Sequence, residues 1–115
     1  MAIISSHVLD SVIGNHAKGI HIDCFRIKDE QRELVFSVIA NEEGRIVEAV
    51  EGHVAGDVYE IVFKSADYFA SQPNTPPSRQ IMTEIVVRFT IPEQDERVHI
   101  PIMLSPHAYS VWWSS

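Results

Sequence analysis

Cysteine is almost missing from this chain. Cys24 stands alone among 115 residues, so no internal disulfide can form and the fold must close on its own hydrophobic core. Positive charge is scarce as well: 9 Lys and Arg face 16 Asp and Glu, a formal charge of −7, which removes the clustered basic surface that nucleic acids and anionic membranes reward. Neither kind of partner is expected. Residues 1–7 lack the basic start and long apolar run of a secretion signal, and together with the single thiol this points to a reducing compartment, the cytoplasm. There is no internal repeat and no low-complexity tract. What is present is an ordinary globular composition, 45% hydrophobic and 22% charged, at a length that suits one domain over residues 1–115.

The apolar residues fall mostly into short β-type runs. Residues 19–27 alternate apolar and polar side chains, the pattern of a strand with one buried face. On that face Cys24 joins Ile20 and Ile22, which makes it a small buried hydrophobe rather than a nucleophile. Residues 33–40 and 57–63 are rich in β-branched and aromatic side chains and read as strands, with a short one at 45–47 after the polar turn Asn41-Glu42-Glu43-Gly44. Residues 65–71 suit a short helix with Ser65 as its N-cap. Pro73, Pro76 and Pro77 mark a surface loop. Beyond it, strands are expected at 81–91, 98–104 and 108–113, with a tight polar connection at 94–96. Pro101 predicts an edge or an irregularity within the second of these. Many short strands and one helix predict an all-β, two-sheet antiparallel sandwich.

Three residues suggest chemistry: His7, Arg45 directly after Gly44, and His99 before Ile100-Pro101. An imidazole can take a proton from water and a guanidinium can donate to an oxygen that gains charge. His16, His21, His53 and His107 have no zinc-ligand spacing, and His16 and His21 would face opposite sides of a strand, so no metal is expected.

The segments His7-Val8-Leu9-Asp10, Gly44-Arg45, Ala66-Asp67-Tyr68-Phe69, Val87-Arg88-Phe89 and His99-Ile100-Pro101-Ile102-Met103-Leu104-Ser105-Pro106, followed by Tyr109-Ser110, resemble the transthyretin-like 5-hydroxyisourate hydrolases from His7 to Ser115. The resemblance implies a transthyretin-like sandwich assembled as a homotetramer, with sites in a channel where two dimers meet. It also implies ring opening of 5-hydroxyisourate, the unstable product of urate oxidation, by water without metal or organic cofactor. Carried over by position, the catalytic set is His7, Arg45, His99 and Ser115, with Arg45 and Ser115 meeting the substrate; Trp113, at a substrate-facing place of the motif, either joins them as a flat apolar wall or packs, with Trp112, in the core, at an interface or over apolar surface. The family's ending Tyr-Arg-Gly-Ser is replaced here by Trp112-Trp113-Ser114-Ser115, and its Gly-Lys-Pro-Ala by Gly14-Asn15-His16-Ala17. Arg97, two residues before His99, is a cation on the same strand face. A second reading stays open: a non-catalytic transthyretin-like protein that holds a small ligand in an altered channel.

Overall fold

The computed structural model describes residues 1–73 and 79–115. In chain order these form β1 (Ala2–Asp10), β2 (Asn15–His16), β3 (His21–Lys28), β4 (Gln31–Ile39), β5 (Arg45–Val50), β6 (Val58–Phe63), α1 (Ser65–Ala70), β7 (Ile85–Thr90), β8 (Glu96–His99), β9 (Ile102–Ser105) and β10 (Ala108–Val111). Two sheets face each other. One has the order β4-β3-β6-β7, antiparallel throughout. The other is built around β1, which pairs antiparallel with β2 and β5 and parallel with β8 and then β9; β10 completes that edge against β9.

The core lies between the sheets. Ile4 and Val8 from β1, Ile22 and Cys24 from β3, Tyr59, Ile61 and Phe63 from β6, and Ile102 and Leu104 from β9 have no solvent exposure. Side chains of this size stabilise by about 1.5–3 kcal/mol each when removed from water. Cys24 therefore behaves as the sequence predicts, and burial pushes its thiol up to about 12, far from nucleophilic.

The structure departs from the sequence reading in several places. The hub strand β1 is absent from the predicted strands, because its buried face runs Ala2, Ile4, Ser6, Val8, Asp10 and two of those five are polar. Both polar groups are satisfied: Ser6 Oγ donates to the Ile100 carbonyl at 2.6 Å, and Asp10 Oδ2 accepts from Tyr68 Oη at 2.7 Å. The run expected at 98–104 is two strands. Pro101 has no N–H to give a ladder, so β8 ends at His99 and β9 starts at Ile102. The strand expected at 81–91 begins only at Ile85, the one expected at 108–113 stops at Val111, and Glu96 belongs to a strand rather than to a connection. Lys64, not Ser65, holds the N-cap position of α1; Ser65 is buried in the first turn and no side chain caps the helix. Pro76 and Pro77 lie outside the described residues. No helix among the described residues is long and apolar enough to cross a membrane.

Candidate active site

Strand register brings the predicted residues together on the outer face of the β1 sheet. Ile4, Ser6 and Val8 point into the core, so Ser5 and His7 point away from it. Arg45, the first residue of β5, sits directly across from His7, and His99, the last of β8, lies beside Ser5. Arg97 flanks the same face two residues earlier, as its alternation with His99 predicts.

Gly44 fixes where Arg45 enters. Its φ is +70°, and a Cβ there would meet the Val8 carbonyl at 2.5 Å and the Ala17 amide nitrogen at 3.2 Å. Only glycine lets the turn lie this close to β1, where the Val8 N–H donates to the Gly44 carbonyl at 2.8 Å. Asn41 Oδ1 accepts from the Arg45 N–H at 3.0 Å and closes the turn from the other side.

The two histidines are tuned alike. Burial first, then the nearby Arg45 guanidinium, hold both below the ordinary histidine value of 6.5; His16 and His99 push His7 further in the same direction, and backbone hydrogen bonds to Glu43 and Ser5 oppose the shift at His7 and His99 respectively. Both imidazoles are therefore neutral at physiological pH and able to accept a proton. Ring nitrogens of both are engaged, His7 by a side chain as well as by the Glu43 backbone. His99 Nδ1 lies 2.8 Å from Ser5 Oγ, and His7 Nε2 lies 3.0 Å from His16 Nδ1.

Ser5 and His16 were not among the predicted site residues. Ser5 was recoverable as the neighbour of His7 on the same strand face. His16 depended on the short hairpin β1–β2, whose register sets Leu9 opposite His16 and so swings its ring toward His7.

The tail reaches the site through its backbone. His99 and Ser114 exchange two hydrogen bonds, at 3.1 and 2.9 Å, and the Trp112 N–H donates to the Pro101 carbonyl at 3.2 Å. Ser115 follows this bridge directly. Neither tryptophan enters the chain's core: Trp112 is 46% and Trp113 62% exposed. Val47, Met103 and Tyr109 are exposed as well.

The sequence profile of the HIUase/Transthyretin family matches residues 4–113. Among curated proteins, the chain is 33% identical over 118 residues to the 5-hydroxyisourate hydrolase of Pseudomonas aeruginosa, covering 100% of this chain and 93% of that protein. It is 35% identical over 114 residues to 5-hydroxyisourate hydrolase 2 of Rhizobium meliloti, covering 97% and 95%. Among solved structures, (S)-allantoin synthase aligns with a TM-score of 0.84 and 28% identity over 99% of this chain, which spans 44% of that longer one. Klebsiella pneumoniae 5-hydroxyisourate hydrolase aligns over 100% of both chains with a TM-score of 0.81; at 23% identity, that is a likeness of fold.

Proposed function

The chain belongs to the HIUase/Transthyretin family, and from that premise we propose that it is a hydrolase that opens a ring of 5-hydroxyisourate in urate breakdown. The observation that carries the reading is Arg45: it faces His7 across the β1–β5 ladder, depresses both histidines, and forms no ion pair with an acidic side chain among the described residues. An unpaired guanidinium beside two neutral imidazoles suits an anionic substrate whose carbonyl oxygen gains charge.

In this mechanism His99, its Nδ1 held by Ser5, uses its other ring nitrogen to take a proton from water. The water oxygen attacks the ring carbonyl carbon, and Arg45 stabilises the oxyanion. His7 protonates the departing nitrogen as the C–N bond breaks. Ser115 offers a hydroxyl to substrate or water, and Trp113 forms a flat wall where relatives place an arginine. No metal or organic cofactor takes part.

The site lies on an open sheet face, and exposed Val47, Met103, Tyr109, Trp112 and Trp113 give it an apolar surround suited to a partner. A homotetramer in the cytoplasm, with this face closed into a channel, fits these features. Light scattering at micromolar concentration tests the assembly, and a monomer rejects it. Activity is tested with 5-hydroxyisourate made in place by urate oxidase. Its near-ultraviolet absorbance should decay well above the spontaneous rate, and no acceleration rejects the hydrolase reading.

A further inference from the structure

Resting on the hydrolase reading, we propose that His16 is a positioning residue for His7 and the proton relay that joins it to a separate open cleft. The cleft, of about 460 Å³, is lined by His16 with Asn15, Lys18, Glu42, Tyr68 and Gln72, while Ser5, His7, Arg45 and His99 lie outside its lining. Among the described residues that line the cleft, His16 alone has a side-chain hydrogen bond to a site residue. Its Nδ1 faces His7 Nε2 at 3.0 Å with the rings tilted by 42°, so the two imidazoles meet through their nitrogens rather than stack. The remaining nitrogen of His16 is left for the cleft, where Lys18 and Glu42 pair at 3.5 Å.

The chemistry needs such a connection. Burial first, then Arg45 from β5, His16 from β2 and His99 from β8, make a full positive charge on the His7 ring costly, against the opposing backbone bond to Glu43. A neutral imidazole can still act as an acid if it gains a proton at one nitrogen while losing one at the other. As the substrate C–N bond breaks, the departing nitrogen takes a proton from the other His7 nitrogen, which leaves its resting bond to the Glu43 backbone. The Nδ1–H of His16 passes its proton to His7 Nε2, and a water in the cleft protonates His16 Nε2, leaving hydroxide there until the return step. The proton that His99 took from the attacking water then returns to the bare nitrogen of His7 and drives the transfer outward. That step restores both tautomers and returns a proton to the cleft.

The test compares the full chain with His16→Gln, which keeps a donor toward His7 but cannot pass a proton on, and with His16→Ala. Circular dichroism checks that each is folded. Both variants should lose on the order of tenfold to a hundredfold in kcat with KM little changed, and added imidazole should restore His16→Ala in proportion to its concentration. Proton inventories in mixed H2O and D2O should show several moving protons for the parent and one for His16→Gln. A folded His16→Gln with parental kcat and proton inventory overturns the relay. NMR titration of the imidazoles separates this outcome from failure of the hydrolase reading. In His16→Gln the His7 midpoint should rise, because His16 no longer pushes it down. An unchanged His7 midpoint rejects the coupling of the two rings whether or not the chain turns over 5-hydroxyisourate.

Discussion

On the outer side of the β4-β3-β6-β7 sheet, Glu60 takes Arg32 at 3.4 Å and Arg88 at 2.8 Å, and Lys64 holds Glu84 at 2.8 Å. On the outer side of the β1 sheet, Arg45 stands opposite His7 and Arg97 opposite Ile3, with no acidic partner among the described residues. The difference separates two uses of the same residue type. Paired cations spend their charge on the sheet itself and add little stability in water, whereas unpaired ones in a protein of net charge −7 keep their field for something that arrives.

The sharpest way to break this contrast is to empty the β1 face. His99→Ala should lower kcat/KM by about 10²–10⁴ while leaving the thermal midpoint near the parent's, since it removes proton transfer from water; turnover at the parental rate would return His99 to a structural role. Arg45→Gln comes next, with a loss on the order of 10²–10³ from the missing oxyanion donor. It carries a pH signature as well. Arg45 depresses both histidines, so without it they stay protonated to higher pH, and the acid limb of the kcat/KM profile, below 6.5 in the parent, should move upward. An acid limb that stays in place would mean that Arg45 does not set their charge.

A smaller effect is expected at the tail. Trp112→Tyr with Trp113→Arg and Ser114→Gly puts a planar cation near His99 and should raise 5-hydroxyisourate turnover several-fold. An unchanged rate in a folded assembly would make both tryptophans packing residues. The smallest effect belongs to the other sheet: Glu60→Gln should cost about 0.2–1 kcal/mol by denaturant melting, because Arg32 and Arg88 are both largely exposed, and should leave kcat untouched. A loss of turnover there would erase the distinction between the two faces.

The sequence carried the parts of this picture that depend on local pattern. Alternation around Ile20, Ile22 and Cys24 revealed the buried face of β3, and Pro101 announced the break that ends β8 at His99. It concealed what depends on polar burial and on register. Ser6 and Asp10 interrupt the apolar pattern of β1, yet their hydrogen bonds let the strand run through the middle of the sheet. The resemblance to known hydrolases placed His7, Arg45 and His99 in one set, but that Arg45 stands opposite His7 and that His99 lies beside Ser5 are facts of pairing between distant segments. His16 escaped for the same reason: a two-residue strand is too short to show a period, and its ring meets His7 only once the hairpin closes.

Gly44 also bears on how such a site can diverge. Because its turn lies against the Val8 carbonyl and the Ala17 amide, the path that delivers Arg45 has no room for a side chain at position 44. Residues inserted into that turn would have to leave the groove altogether. Loops that ring a pocket usually change by length, but here the chemistry stands on strands, so new specificity is open mainly to exchanges at the outward positions of β1, β5 and β8 and in the tail. A library with variation at position 44 should lose nearly all of its folded members, whereas one built on Arg45, Arg97 and Trp113 can search ligand chemistry on an unchanged scaffold.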